Sequence, residues 1–212
     1  MAHSSTFQIS DEPALLGTER WTIADLAHFP DSELYRYEII DGELFVSKNP
    51  HWHHQLTCHR IAYELDSWSR QHNAGVAFQN PGVMYADDEA VTPDVVWISQ
   101  ARVATLLRDE NKHLHESPNL VVEVLSPERA NERRDREAKL KLYARQAVQE
   151  YWIVDWRDAT RMVYRRQQDT LQLMATLGRT DTMTSPLLPG FACALEGLFL
   201  VANMPLNDQA ST

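Results

Sequence analysis

The run Leu120-Val121-Val122-Glu123-Val124-Leu125 sets a carboxylate in the middle of an otherwise apolar, largely β-branched stretch. Five of its six residues are apolar, a pattern that predicts a strand buried on both faces. A lone carboxylate in such a strand is costly unless it is paired, protonated or bound to a cation. Glu123 is therefore the residue whose surroundings most need explaining.

The segments around this strand predict an α/β chain. Tyr35 to Ser47 alternates about Asp41-Gly42 and reads as a hairpin. His53 to His72 carries an apolar stripe of Leu56, Ile61, Leu65 and Trp68, with Gly75 as a stop, and reads as a helix. Val76 to Tyr85 reads as one or two short strands broken at Asn80-Pro81-Gly82, and Ala86 to Glu89 as an acidic turn. Thr92 to Ser99 is a strand with Pro93 at its start, where a missing N–H does least harm. A short helix is expected over Arg102 to Glu110. A second helix is expected over Asp135 to Gln146, with Leu140, Tyr143, Ala144 and Ala147 on one face. Glu150 to Asp155, Arg161 to Arg165 and Leu171 to Leu177 read as strands. Pro186, Pro189 and Gly190 mark a loop, and Leu195 to Val201 a closing short helix.

The length of 212 residues fits one domain, 21–203, between polar tails at 1–20 and 204–212. No run is apolar enough to span a membrane and the start lacks the pattern of a signal peptide, so the cytoplasm is the expected location. Cys58 and Cys193 lie far apart and make no disulfide framework; two free buried thiols are expected. The net charge of −10 argues against a broad nonspecific grip on nucleic acid, though it leaves room for a local basic patch or for acids neutralised by metal.

Pro93-Asp94 opens one strand, Glu123 sits within the next, and Lys139 lies on the following helix. Hard divalent cations take oxygen ligands, typically one or two carboxylates with waters and a phosphate. A carboxylate from each of two neighbouring strands supplies such a site, and the backbone carbonyl of Val124 can add a ligand. A nearby ammonium can orient or deprotonate a water and steady charge on a phosphate. Asp, Glu and Lys together meet the needs of metal-assisted phosphodiester hydrolysis.

This arrangement resembles the PD-(D/E)XK nuclease superfamily, and within it the Uma-type restriction endonuclease family. The matching pieces are Tyr37 to Leu44, His54-Gln55, Pro93-Asp94, Val121 to Pro127, Asp135 with Lys139 and Tyr143, Glu150 to Asp155, and Thr184 to Gly190. They run in order from about Trp21 to Leu200. The resemblance implies a restriction-endonuclease-like mixed central sheet flanked by helices with antiparallel hairpin extensions. It also implies a Mg2+- or Mn2+-dependent endonuclease acting on DNA, with Asp94, Glu123 and Val124 at the metal. One departure stands out: the superfamily's lysine follows the acid by two residues, and that position is Leu125 here. Lys139 is its natural replacement; Lys141 points about two hundred degrees away around the helix.

An acid from the N-terminal hairpin, Glu43 in preference to Glu38, is expected to complete the site. His54 is expected to face the pocket, and Tyr143 and Arg136, the latter from an arginine group with Arg133 and Arg134, are candidate binding residues. His54 and Cys58, four apart, suit one helix face, but no second ligand pair at zinc-site spacing follows them. Trp68, Trp97 and Trp152 are expected in the core. The competing function is a catalytically silent nuclease-fold module that binds nucleic acid or a protein partner; a phosphoesterase acting on small substrates shares the metal logic. A homodimer is expected from the commonness of closed two-fold assemblies.

Overall fold

The computed structural model describes residues 20–29, 34–106 and 113–199, so the expected tails lie almost wholly outside the described residues. After a short helix α1 (Ile23–Leu26), the hairpin forms as strands β1 (Tyr35–Ile40) and β2 (Glu43–Lys48). Helix α2 (Trp52–His72) follows, then β3 (Gly75–Gln79), β4 (Val83–Ala86), β5 (Glu89–Val91) and β6 (Val95–Ser99). Helix α3 (Gln100–Leu106) precedes β7 (Leu120–Val124); the rest of its expected span, 107–110, lies outside the described residues. A continuous helical segment is built from α4 (Arg129–Arg133), a π-turn (Arg134–Ala138) and α5 (Lys139–Arg145). Strands β8 (Glu150–Asp155), β9 (Thr160–Gln167), β10 (Thr170–Leu177), β11 (Thr182–Ser185) and β12 (Leu188–Ala194) complete the fold.

The central sheet has six strands in the order β10-β9-β8-β7-β6-β3. Only β7 and β8 run parallel, with Glu123 opposite Ile153; the other pairs are antiparallel. A smaller sheet in the order β2-β1-β5-β4 brings the N-terminal hairpin alongside. The architecture is thus a mixed central sheet flanked by helices with antiparallel hairpin extensions.

Every residue of β7 is buried, because both faces are covered. Leu120, Val122 and Val124 pack with Ile61, Leu65, Trp97 and Trp152, on the face that carries α2. Val121 and Leu125 pack with Leu142, Tyr143, Tyr151 and Ile153, on the face that carries α5. Helix α2 buries His54, Thr57, Cys58, Ile61, Ala62, Leu65, Trp68 and Ser69, a stripe at helical spacing. Leu56, expected in that stripe, is only half-buried, and His54 and Cys58 take the inward positions. Gly75 is needed where β3 begins: its φ is +152°, and a Cβ there would lie 2.1 Å from the carbonyl oxygen of Ile98.

Three expectations change. The helix expected over Asp135–Gln146 starts at Arg129 and contains the π-turn. The loop expected about Pro186–Gly190 is the hairpin β11–β12, whose inward residues Met183, Ser185, Leu188, Phe191 and Cys193 are buried. Pro189 and Gly190 are exposed within β12, where Gly190 takes φ +80°; both residues are tolerated at an irregular strand position. The closing helix over Leu195–Val201 is a single 3-10 turn, Leu195–Gly197, and residues beyond 199 lie outside the described residues.

Candidate active site

Alternation along β7 points Glu123 to the face of Val121 and Leu125, toward α5. Its burial is answered by donors from that helix. Lys139 Nζ lies 2.9 Å from Glu123 Oε1, and the Tyr143 hydroxyl donates to the same oxygen at 2.8 Å. Lys139 also contacts Glu38 Oε1 at 2.9 Å and Asp135 Oδ1 at 3.7 Å. Arg134 bridges the same two acids, with Nη1 3.1 Å from Glu38 Oε2 and Nε 3.0 Å from Asp135 Oδ1. The Thr92 N–H donates to Glu38 at 2.8 Å. The π-turn makes this network possible. Asp135 and Lys139 share a face at i, i+4 spacing, and the extra residue per turn brings Arg134 onto that face too, so that all three are buried together.

Asp94, just ahead of β6, meets the end of β7. Its Oδ2 accepts from the Val124 N–H at 2.8 Å and lies 3.1 Å from His54 Nε2. Its Oδ1 accepts from Arg36 at 3.3 Å. Behind His54, Nδ1 stands 3.4 Å from the Cys58 sulfur. Asp94, Glu123 and Val124 line one cavity together with Arg36, Lys48, His54, Arg134 and Asp135. The two acids drawn from neighbouring strands therefore open on the same space.

Four buried carboxylates (Glu38, Asp94, Glu123, Asp135) stand against the fixed cations Arg36, Arg134 and Lys139. Burial works against every charge here. It is outweighed at Asp94 by His54, Arg36 and Lys139, and at Glu38 by Lys139 and Arg134, so both carboxyls are held below their usual range. Glu123 goes the other way. Burial, reinforced by Asp94, Asp135 and Glu38 and only partly offset by Lys139, pushes it up to about 8. The acids Glu123, Glu38 and Asp135 hold Lys139 charged against the cost of its burial. Burial next to Glu123 raises the Tyr143 hydroxyl, which stays a donor. A divalent cation touching Asp94 and Glu123 fits this set: it would offset the excess of acid, and the oxygens suit a hard ion.

The remaining sequence candidates divide. Glu43 is exposed at the end of the hairpin and stands outside the cluster, where Glu38 takes part instead. Arg136 pairs with Glu132 at 2.8 Å and does not line the cavity, whereas its neighbour Arg134 does. Arg36 and Asp135 were not singled out as site residues from sequence. The signal for Glu38 was present: a charge abutting Ile39 and Ile40, which are both buried, repeats the anomaly of Glu123. Among the described residues no helix is long and apolar enough to cross a membrane.

Comparisons with known proteins bear on the family and the fold. A family model, Uma2, described as "Putative restriction endonuclease", matches residues 23–196. A crystal structure described as "a putative nuclease belonging to DUF820 from Anabaena variabilis ATCC 29413" superposes with a TM-score of 0.66 at 19% identity, covering 84% of this chain and 97% of that one. At that identity the likeness is one of fold. No curated protein matches the chain.

Proposed function

The chain belongs to the Uma2 family, and from that premise we propose that it is a Mg2+- or Mn2+-dependent endonuclease that hydrolyses phosphodiester bonds in DNA. The observation that carries the reading is the opening of Asp94, Glu123 and Val124 onto one cavity, with Lys139 bonded to Glu123. Asp94, Glu123 and the Val124 carbonyl would hold the ion, which when bound lowers the pKa of a water and offsets charge on the phosphate. Both donors to Glu123 fall on Oε1, so Oε2 is the oxygen left for a cation.

Lys139 is held charged, so it serves as a donor that positions the attacking water and steadies the extra negative charge at phosphorus, not as its base. Its arrival from a helix accounts for the apolar Leu125, which is fully buried in the core. Arg36 and Lys48, at the cavity wall, are suited to hold the scissile and flanking phosphates. In the reaction the water oxygen bonds to phosphorus, the bond to the leaving sugar oxygen breaks, and that oxygen takes up a proton. Incubating plasmid with the protein and Mg2+ tests the reading: nicking is expected, with Asp94→Asn and Glu123→Gln both inactive. Equal cleavage by both variants overturns it.

One observation favours a second reading, the silent nuclease-fold module. The acids already have cations of the chain's own: Arg36 on Asp94, Lys139 on Glu123 and Arg134 on Asp135. Calorimetry with Mn2+ separates the two, because a silent module has no need of a bound ion. A homodimer fits either reading. Strand β10 is an edge of the central sheet, and its Leu173 and Met174 are exposed; light scattering in solution tests the assembly.

A further inference from the structure

We propose that His54, Cys58 and Asp94 form a soft-metal site that takes Zn2+, and that this site shares Asp94 with the hard-cation site so that the two ions exclude each other. The three residues are each buried, and one ligand atom from each lies within 4.8 Å of the others. Sequence spacing places only His54 and Cys58 together; the third ligand comes from the strand end thirty-odd positions away, once α2 packs on the sheet.

The geometry fits a tetrahedral ion. Zn–S of about 2.3 Å and Zn–N of about 2.0 Å at the tetrahedral angle put sulfur and nitrogen roughly 3.5 Å apart. Cys58 Sγ and His54 Nδ1 stand 3.4 Å apart. The Asp94 carboxylate, 3.1 Å from the other ring nitrogen, reaches the ion by a side-chain turn. Without metal the imidazole stands between its neighbours, with Nδ1 beside the Cys58 sulfur and Nε2 beside Asp94. On binding, the Cys58 S–H proton leaves to solvent and the thiolate becomes the ligand. His54 and Asp94 also line the cavity, so the site adjoins it.

A nitrogen, a thiolate and one carboxylate make a donor set for Zn2+, whereas Mg2+ takes oxygen alone. A nucleophilic role for the same Cys–His–Asp order is unsuitable. Burial, with the charges of Asp94 and Glu123, pushes the Cys58 thiol up, and Cys58 is only 2% exposed, whereas reactive thiols are exposed and low in pKa. Binding of Zn2+ stands independently of the nuclease reading; only the exclusion of the hard ion rests on it.

The test uses the full-length protein stripped by chelator and titrated with Co2+. The expected result is a near-ultraviolet thiolate-to-cobalt charge-transfer band saturating at one ion per chain. The band should be retained in Cys193→Ser, lost in Cys58→Ser and abolished by one equivalent of Zn2+. Cys58→Ser should weaken Zn2+ binding by at least roughly tenfold. X-ray absorption on the Zn2+-loaded wild type, which needs no variant to fold, should show one sulfur at about 2.3 Å. A first shell of nitrogen and oxygen only, or a band unchanged in Cys58→Ser, overturns the site. Bound Mn2+, followed by electron paramagnetic resonance, should be released by stoichiometric Zn2+ in the wild type and not in Cys58→Ser; retention of Mn2+ in the wild type overturns the exclusion. Failure to bind Mn2+ at all sinks the nuclease reading and leaves the Zn2+ site standing.

Discussion

Arg161 is a buried charge with little support, and its replacement should stabilise the protein. It lies on β9, fully enclosed, with its guanidinium carbon 4.1 Å from the centre of the Trp152 ring. Its Nε and both terminal nitrogens find no acceptor among the described residues. Glu150, the acid that attracts it, is already engaged by the Trp152 indole N–H at 2.7 Å and the Ser185 hydroxyl at 2.6 Å. Burial pushes the guanidinium down to about 9 against that attraction. A desolvated cation–π contact contributes about 2 kcal/mol, but enclosing an ion costs several kcal/mol. Methionine keeps most of the length and offers a sulfur–aromatic contact of ~0.3–1.5 kcal/mol. Arg161→Met should therefore gain about 1–3 kcal/mol, within the range found when buried ions are replaced by apolar side chains. For a chain of this size that is roughly 2–4 °C in Tm per kcal/mol. Arg161→Lys, which keeps the charge and loses the flat stacking group, should be less stable than the wild type. Urea unfolding with an unchanged slope, supported by thermal melts, reads the order Met above Arg above Lys. A Met variant less stable than the wild type refutes the reasoning, because the charge would then be net favourable where it sits.

Other outcomes follow from the same geometry. Burial pushes Glu123 up to about 8 in the folded chain from an ordinary 4.5, so between those values the folded state holds a proton that the unfolded state has released. Stability of the metal-free protein should fall as pH rises through that window and Glu123→Gln should flatten the slope; a wild-type Tm that climbs from pH 5 to pH 8 would contradict this. Lys139→Met strands Glu38 and Glu123 without their shared cation and should cost about 3–5 kcal/mol, far more than Glu123→Gln, as denaturant midpoints will show. Gly75→Ala drives a methyl into the Ile98 carbonyl and should cost at least about 1–3 kcal/mol; a melt within a degree of the wild type would mean that β3 can shift. Asp94→Asn should abolish Mn2+ binding by calorimetry while leaving the far-ultraviolet dichroism unchanged, since the amide can still accept from the Val124 N–H.

How far the site was legible depended on whether a residue broke its local pattern. Glu123 stood out because nothing polar belongs in a strand covered on both faces, and Asp94 because it follows a proline that starts a strand. Lys139 follows from the resemblance, as the natural replacement for a lysine whose usual position is the apolar Leu125 here. Glu38 was harder to single out, since Glu43 sits beside the same turn; only the smaller sheet packing against β7's end decides which of the two is enclosed. Arg134 was hidden by helix phase. On a regular helix starting at Asp135 it would lie ahead of the first turn, and no sequence rule announced the π-turn. The hairpin β11–β12 reads as a loop in the sequence because Pro186, Pro189 and Gly190 mimic one. What overrides them is the burial of Met183, Leu188 and Phe191 against the sheet, a long-range effect that local patterning does not contain.

The π-turn at Arg134–Ala138 has a consequence for how such a pocket can be gained or lost. Each residue advances a regular helix by about 100°, so on a regular spiral the five steps from Arg134 to Lys139 would leave the two side chains about 140° apart, and the wider turn is what brings them to one face. Straightening the turn at the same length would carry Arg134 out of the pocket with each of its side chains still encoded. A relative one residue shorter here should reach the same face on a regular helix, since four steps return to within about 40°; the number of residues between β7 and α5 and the pitch they adopt decide together what the pocket can hold.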